Sequence, residues 1–400
     1  MIGAGVIGMT TAFELVEDGH EVTVFEHLQA AAEGASFAAG GLLAPDWSAA
    51  RSSLAWARES RSQRKPWWSL SRRQTRAPLA DPAPALQAMA LKSLERMSQV
   101  GQRLQLSTET RQGLMAVWRH EKGQAAAEAL QRQLSADGSK CQSIGPDQAR
   151  KLETALSPDT PLRGALVLHE AETANCRQFT LGLKAHAQRA GCRFEFGVKV
   201  RDVRRETGQQ GVILAFDRPD RGPEPFDAVV LCAGAAASDL LKAAGLAIPL
   251  ERRVAHALSG PVKEMLDAPV ATVHDLETGI TISRSGQRVR AWGPALRLED
   301  SPRADRAFKP LYAALSDWFP GAIRSANAGS VQEWSGQLAF TSDTLPLLGA
   351  TALPGLWLNT AHGMHGWLLA CGCARELADQ MAGRPPTEQA AAFRPQRLEP

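Results

Sequence analysis

Cysteine, tyrosine and long apolar segments are scarce in this 400-residue sequence. The six cysteines show no spacing typical of a disulfide scaffold or a metal site, so we expect reduced thiols, a cytoplasmic location and no bound metal. No run of about 18 apolar residues occurs, which argues against a membrane-spanning helix. The 45 basic residues barely exceed the 42 acidic ones, so charge gives no reason to expect a nucleic-acid partner. We also expect no signal peptide, because no basic segment leads into an apolar run at the start.

The start of the chain carries a glycine motif typical of dinucleotide binding. Gly3, Gly5 and Gly8 form the pattern GxGxxG, followed by a predicted helix over 9–16 and a predicted strand over 21–26 that ends at Glu26. Free amides at the start of such a helix bind a diphosphate, and an acidic residue at the strand end accepts hydrogen bonds from ribose hydroxyls. The carboxylate disfavours NADP, whereas the glycine spacing alone leaves FAD and NAD open.

Only Met1 and Ile2 precede this motif, although a strand that feeds such a turn normally has about five residues. Either the central strand is unusually short, or the sequence is a truncated reading of a longer gene product. We favour truncation as a hypothesis. Restored upstream codons that improve neither stability nor cofactor retention would count against it.

Dinucleotide-fold patterns recur in the middle and at the end of the chain. We therefore predict an α/β fold with a Rossmann-like nucleotide-binding domain, discontinuous in sequence, and an α+β substrate domain built on an antiparallel sheet. The nucleotide-binding domain is predicted over 1–48, 164–245 and 334–400, the last part including a C-terminal tail. The substrate domain is predicted over 49–163, with a surface excursion, and over 246–333. Asn175 is predicted to cap a helix that runs to about residue 189.

Further motifs follow the glycine motif in order along the chain. They are Ser36-Phe37-Ala38-Ala39-Gly40-Gly41, Asn175-Cys176-Arg177-Gln178-Phe179-Thr180, Val230-Leu231-Cys232-Ala233-Gly234, Thr341-Ser342-Asp343 with Pro346 and Gly349, and Asn359-Thr360-Ala361-His362-Gly363-Met364-His365-Gly366-Trp367. Residues 1–45, 164–235 and 334–384 thereby resemble the D-amino acid dehydrogenase group of the FAD-dependent amine and amino-acid oxidoreductases. The resemblance implies bound FAD and leaves an NAD-dependent dehydrogenase as a distant alternative, because the last motif would then have no purpose.

The resemblance also implies which residues bind FAD. ADP would lie against the glycine motif and Glu26, the pyrophosphate and the ring beside Ser36 and Ala38, and the adenine beside Val200. Segment 363–366 would direct backbone amides and a helix start at the flavin N1–C2=O edge, where negative charge develops on reduction. The full predicted set is Gly3, Gly5, Val6, Ile7, Gly8, Glu26, Ser36, Ala38, Val200, Ala233, Gly234, Gly363, Met364, His365 and Gly366.

The reaction implied by the resemblance is hydride transfer from the α-carbon of a small D-amino acid to flavin N5. The resulting imine is hydrolysed to a 2-oxo acid and ammonia, and the electrons pass to a respiratory acceptor, a quinone or an electron-transfer protein. Because no residue need abstract a carbon proton, the protein's main task is to orient the substrate. We therefore expect a cation that holds the substrate carboxylate.

The sequence departs from the family at that cation. Leu338, after Trp334-Ser335-Gly336, stands where the family has a carboxylate-binding arginine, and leucine cannot replace it. The single tyrosine, Tyr312, argues against a tyrosine-lined pocket. The basic residues on candidate strands are Arg252, Arg253, Arg288 and Arg290, for each of which a solvated strand face is the alternative. We predict His365, Arg290 and His256 as the catalytic residues.

Two other functions stay open. A glycine- or sarcosine-type amine oxidase would use oxygen, and a flavin-binding paralogue would have lost or changed its substrate, as Leu338 permits. The arginine- and tryptophan-rich stretch 51–76 suits either peripheral contact with the inner face of the plasma membrane or a solvated loop. Cys371 and Cys373 are two positions apart on a predicted helix, so we predict buried core residues there.

Overall fold

A computed structural model gives the fold, and it describes residues 1–37, 39–62, 81–205, 211–303, 306–324 and 330–398. The α-helices in these residues are α1 (Val6–Glu17), α2 (Pro45–Ser62), α3 (Ala83–Leu104), α4 (Glu121–Ala136), α5 (Pro146–Leu152), α6 (Cys176–Arg189), α7 (Ala237–Ala243), α8 (Lys309–Trp318), α9 (Gly366–Met381) and α10 (Glu388–Ala391). The first nine strands are β1 (Thr23–Glu26), β2 (Leu42–Leu43), β3 (Arg111–Trp118), β4 (Gln142–Ile144), β5 (Gly164–Thr173), β6 (Arg193–Phe196), β7 (Val200–Arg204), β8 (Val212–Phe216) and β9 (Glu224–Phe226). The others are β10 (Val229–Leu231), β11 (Glu251–Pro261), β12 (Thr272–Asp275), β13 (Thr281–Ser285), β14 (Arg288–Trp292), β15 (Leu296–Arg297), β16 (Gln332–Phe340), β17 (Leu347–Ala350) and β18 (Leu356–Thr360).

The chain begins in the centre of a mainly parallel sheet. Ile2 forms parallel bridges with Phe25 of β1 and with Leu231 of β10, and so joins two smaller sheets. β6 pairs with β1 on one side, β18 pairs with β10 on the other, and β17 adds an antiparallel edge. The strand order is therefore β6-β1-Ile2-β10-β18-β17. This is the Rossmann-like domain that the glycine motif predicts, with a central strand of very few residues.

Helices α1, α3, α6 and α9 share one core beside this sheet. Phe13, Leu86, Phe179 and Leu369 are almost completely buried there. The predicted cap of α6 is present, because the Asn175 side chain accepts a hydrogen bond from the Gln178 amide at 3.2 Å. On α9, Cys371 and Cys373 are buried, as their spacing predicts.

A buried carboxylate ties three of these helices together. Glu14 of α1 is 1% exposed and lies between two arginines. It accepts hydrogen bonds from Arg96 of α3 at 2.7 and 2.8 Å and from Arg375 of α9 at 2.8 Å. An ionised carboxylate in this position depends on both partners, since an unpaired buried charge is costly.

The second domain is built on a ten-stranded sheet. Its order is β15-β11-β14-β13-β12-β3-β5-β2, with β16 also paired to β11 and β4 to β5. The sheet is antiparallel except for the β12–β3 pair, which is parallel and departs from the predicted all-antiparallel arrangement. One face packs on α8 through Leu311 and Trp318. On the opposite face, α2 and α4 cover the β3 and β5 region.

The sheet pairings cross the predicted domain boundaries. β5 and β16 belong to the large sheet, although residues 164–173 and 334–340 were predicted within the nucleotide-binding domain. Conversely, α3 packs against α9 in the core of the nucleotide-binding domain. Apolar strand and helix patterns look alike in both domains, so the partner of each element is decided by the tertiary structure.

A small antiparallel sheet of β7, β8 and β9 completes the described elements. Within the described ranges, each helix is too short or too polar to cross a bilayer. Of the stretch 51–76, residues 51–62 continue α2, whereas 63–76 lie outside the described residues. The predicted contact of this stretch with a membrane stays a prediction.

Candidate active site

Two glycines of the motif are required by close backbone contacts. Gly3 has a φ of +106°, and a Cβ there would lie 2.6 Å from the Cys232 carbonyl oxygen. A Cβ on Gly8 would lie 1.9 Å from the Gly3 carbonyl oxygen. At Gly5 a Cβ would meet only the Ser36 hydroxyl, at 3.2 Å. Gly3 and Gly8 therefore build the turn, while Gly5 keeps the surface in front of α1 free of a side chain.

Amide and carboxylate groups converge beside this turn. The Val6 amide donates to Ser36 Oγ at 2.8 Å, and the amides of Ile7 and Gly8 lie in the first turn of α1, where no intrahelical acceptor is available. Glu26 ends β1 and accepts hydrogen bonds from the amides of Ala4 at 2.7 Å and Leu28 at 3.0 Å. The arrangement offers donors to a diphosphate and an acceptor to a ribose.

Two other predicted segments border the turn region. Ala233 and Gly234 follow β10, and the Ala233 Cα would lie 3.2 Å from a Cβ on Gly3. Val200 begins β7 and is buried. Ala38 lies outside the described residues.

The start of α9 forms a second cluster of backbone amides. Gly363–His365 is a 3₁₀ turn that runs directly into α9. Gly363 has a φ of +53°, and a Cβ there would lie 2.5 Å from the ring of Phe340 on β16. Met364, at the same turn, is 43% exposed although buried residues flank the turn. An exposed methionine beside free helix amides is suited to contact with a bound molecule.

Two neutral histidines flank this turn. Burial, with a smaller effect of His365, lowers the pKa of His362 to about 3. Burial and then the charge of Arg51 lower the pKa of His365 to about 4. Both imidazoles are therefore neutral at pH 7. His362 Nε2 has no hydrogen-bond partner within the described part of the chain.

One face of the large sheet lies opposite these segments. Strand register aligns His274, Thr281, Trp292, Ala257 and Trp334 in one row across β12, β13, β14, β11 and β16. A Cβ on Gly40 would lie 1.9 Å from the Trp292 ring, so the loop after Ser36 rests directly on this face. The row therefore borders the space between the two domains.

A cavity of about 300 Å³ lies along this face. Phe37, Arg177, Arg290 and Trp334 contribute to its wall, together with Glu109. Glu109 accepts hydrogen bonds from Ser285 Oγ at 2.7 Å and from Asn175 Nδ2 at 2.9 Å. Burial opposes its ionisation, but these hydrogen bonds and the charge of Arg290 leave the pKa of the Glu109 carboxyl lowered. The cavity thus carries both a carboxylate and a guanidinium.

Arg290 keeps donors free within this cavity. Its Nη1 donates to the Ala39 carbonyl at 3.4 Å, while its Nε is buried without a hydrogen-bond partner among the described residues. Ser283 lies opposite it in the register, and its buried hydroxyl also lacks a described partner. Burial lowers the pKa of the Arg290 guanidinium, so a bound anion would stabilise its charge.

The other three strand arginines are better satisfied. Arg252 forms an ion pair with Asp239 at 2.6 Å. Both ends of the Arg253 fork bond to Glu251, at 3.1 and 3.0 Å. Arg288 donates to Ser259 Oγ at 2.9 Å and to the Ser259 carbonyl at 2.6 Å.

His256 lies away from the cavity, contrary to the expectation that it faces the substrate. It is adjacent to Ala257 on β11, and neighbouring residues of a strand point to opposite faces of the sheet. Its ring packs on Phe308, at the start of α8, with 5.5 Å between the ring centroids. Burial lowers its pKa, as expected for an imidazole in an apolar setting.

Sequence reasoning missed a basic cluster at the other end of the row. Arg51 of α2 lies with its Nη1 2.9 Å from His274 Nε2, and His274 Nδ1 is 2.6 Å from Thr281 Oγ1. Ser52, the residue after Arg51, has its Oγ 3.5 Å from His365 Nε2. Arg51 lies in the stretch that was predicted to be a surface feature. The sequence contains no signal that would join it to residues more than two hundred positions away.

The model of the FAD dependent oxidoreductase family matches residues 1–380. The chain belongs to this family. It is 31% identical over 416 aligned positions to a D-amino acid dehydrogenase of Chromohalobacter salexigens, covering 96% of each protein. It is also 31% identical to a D-amino acid dehydrogenase of Cereibacter sphaeroides, covering 98% of this chain and 93% of the relative.

Solved structures share the fold of this FAD-dependent oxidoreductase. Glycine oxidase from Geobacillus kaustophilus matches with a TM-score of 0.76 and 22% identity, over 98% of this chain and 96% of that one. Iminodiacetate oxidase from Chelativorans sp. BNC1 matches with a TM-score of 0.76 and 18% identity, over 98% of both chains. The likeness confirms the predicted Rossmann-like α/β class with a second domain.

The residues at the predicted cofactor positions fit FAD. The Gly3–Gly8 turn leaves space where a side chain would block a pyrophosphate, and Glu26 lies at the strand end that a ribose approaches. The free amides at the start of α9 follow the carboxyl end of β18, at the same sheet edge as the glycine turn, and suit the flavin edge that becomes negative. The prediction of FAD as cofactor is confirmed by the family, whereas the role of each residue stays a prediction.

Leu338 of this oxidoreductase lies on β16, four residues beyond Trp334 and toward Phe340, which contacts the α9 turn. It is half-buried, pairs across the strands with Arg253, and precedes Phe340 by two positions on the same face. Arg253 lies 4.6 Å from the centre of the Phe340 ring, but its fork is held by Glu251. No arginine with a free fork therefore replaces the family's residue at this point among the described side chains.

Proposed function

We propose that this chain catalyses the FAD-dependent oxidation of a small D-amino acid. The substrate gives up a hydride from its α-carbon and a proton from its amine to form the imino acid, which adds water and releases ammonia and a 2-oxo acid. When bound, FAD supplies the two-electron acceptor for the hydride. The observation that carries the proposal is the cavity that holds both Arg290 and Glu109, because an amino acid presents one charge of each sign.

Arg290 would hold the substrate carboxylate through the donors that the protein leaves free. Glu109 would accept a hydrogen bond from the ammonium group and receive the proton that must leave nitrogen before hydride transfer. Its lowered pKa keeps it ionised at pH 7, which suits it to attract the ammonium form. Trp292 and Trp334 would limit the access of water to the reacting carbon.

His365 would act at the cofactor and not at the substrate carboxylate. It is neutral, and the turn that contains it directs the amides of α9 toward one place. Amides fixed in this way stabilise a negative charge at little reorganisation cost. His256 has no part in the proposal, because it lies on the other face of the sheet.

We further propose that the electrons pass to a respiratory acceptor, a quinone or an electron-transfer protein. This proposal is supported by the relatives in sequence, which are named as dehydrogenases and not as oxidases. Peripheral contact with a membrane through 51–76 would bring such an acceptor within reach.

The test is an anaerobic visible spectrum of the FAD-loaded protein during titration with D- and L-amino acids. We expect flavin bands that bleach with D-amino acids and persist with their L-enantiomers. Persistence with every D-amino acid would overturn the proposal. Formation of peroxide under air, in proportion to the substrate oxidised, would show that oxygen is the electron acceptor and that the protein is an oxidase.

A further inference from the structure

We propose that the substrate carries a second anionic group, as in an acidic D-amino acid, and that Arg51 binds it, held in place by His274. The inference rests on the proposed function and specifies its substrate class. It concerns Arg51 and its partner His274, at the β12 end of the row, which have no part in the predicted FAD site or in binding the first carboxylate.

The geometry of Arg51 leaves donors available. Of its contacts, the His274 ring nitrogen at 2.9 Å takes one hydrogen bond, and the Trp47 ring centre lies 5.5 Å from the guanidinium carbon. Arg51 is exposed to solvent, although the protein packed around it lowers the pKa of its guanidinium. An accessible guanidinium with free donors can receive an anion.

The cluster lacks a counter-charge. Among the described residues, no carboxylate lies within ion-pair distance of Arg51, and its side-chain hydrogen bond there is to His274 at 2.9 Å. Burial is the main cause of the lowered pKa values of His274 and His365, and the charge of Arg51 adds to it. A guanidinium that has no acid beside it is suited to an external anion.

The separation from Arg290 suits a small molecule that is held at both ends. Thr281 faces His274 on one side and Trp292 on the other, and Ser283, two residues along β13, faces Arg290. Strand spacing and rise then place the α-carbons of His274 and Arg290 roughly 12 Å apart. A substrate with an anionic group at each end would therefore join Arg290 to Arg51 across this face of the sheet.

Isosteric substrate pairs provide the experiment. Anaerobic flavin reduction is measured with D-glutamate against D-glutamine, and with D-aspartate against D-asparagine, for the FAD-loaded protein. We expect the acidic member to be favoured at least tenfold in kcat/KM, since a charged hydrogen bond is worth that much. Arg51→Gln should abolish most of this preference, because it should slow the acidic substrates much more than their amides. Arg132→Gln, which changes an exposed arginine on α4, is the matched control and should change neither rate.

A binding measurement separates recognition from turnover. Titration calorimetry with glutarate and with butyrate should show tighter binding of the dicarboxylate, and Arg51→Gln should remove the difference. Arg51→Lys retains the charge and should restore part of it, which excludes simple unfolding as the cause. Reduction by D-alanine and D-glutamine as fast as by D-glutamate would overturn this inference and leave the proposed function intact. No reduction by any D-amino acid would overturn the proposed function instead.

Discussion

Arg290→Met is the most direct perturbation of the proposed substrate site. The methionine side chain fills much of the same space on β14 but offers no donor to a carboxylate. In the structure the guanidinium has one weak hydrogen bond, to Ala39 at 3.4 Å, so few protein contacts are lost. The substitution should therefore change substrate binding much more than folding.

The size of the effect follows from the contacts that the fork can make. A hydrogen bond to a charged group contributes about 1.5–3 kcal/mol, and a bidentate arginine–carboxylate pair makes two. Because the contributions are not additive and Arg288 lies on the same wall, we expect a loss of about 3 kcal/mol. That corresponds to a decrease of roughly a hundredfold in kcat/KM.

The assay compares a D-amino acid with the amine that lacks its carboxylate. Rates of anaerobic flavin reduction are measured for D-alanine and for ethylamine, each with the unchanged protein and with Arg290→Met. This cycle combines one substitution with one change of substrate, and it isolates the energy of the arginine–carboxylate contact. We expect the substitution to slow D-alanine strongly and to leave ethylamine nearly unchanged.

Equal losses for both compounds would refute the reasoning, because they would show that Arg290 maintains the shape of the site and binds no carboxylate. An unchanged rate with D-alanine would refute it as well. Arg290→Lys retains the charge without the fork and should recover only part of the loss.

Three further changes test other parts of the structure. Glu14→Gln should lower the free energy of unfolding by about 3–5 kcal/mol, because Arg96 and Arg375 lose their buried charged partner. Denaturant titration measures this change. A decrease below about 1 kcal/mol would contradict the proposed contribution of the ion pairs. Gly5→Ala should weaken FAD retention in gel filtration without lowering the stability of the apoprotein, since a Cβ there meets only Ser36 Oγ. A clear loss of apoprotein stability would count against this role. Leu338→Arg should increase kcat/KM for D-amino acids if this position is the carboxylate site, and an unchanged rate and affinity would exclude that placement.

Local patterns in the sequence were sufficient for the nucleotide-binding elements. The glycine spacing predicted the turn before α1, and the structure shows why only glycine is accepted at Gly3 and Gly8. The helix over 366–381 and the Asn175 cap were also predictable, because caps and helical periodicity depend on residues close in sequence. The same motifs carried the resemblance that identified FAD.

Which of the predicted residues enter the proposed substrate site was decided by tertiary structure. Arg290 and His256 lie on neighbouring strands, and register and strand alternation place the first in the cavity and the second against α8. Arg51 joins His274 only because α2 folds over the large sheet. Contacts between residues that are far apart in the chain depend on which sheet each strand enters. That choice follows from the packing of whole elements and leaves no mark in the sequence near either residue.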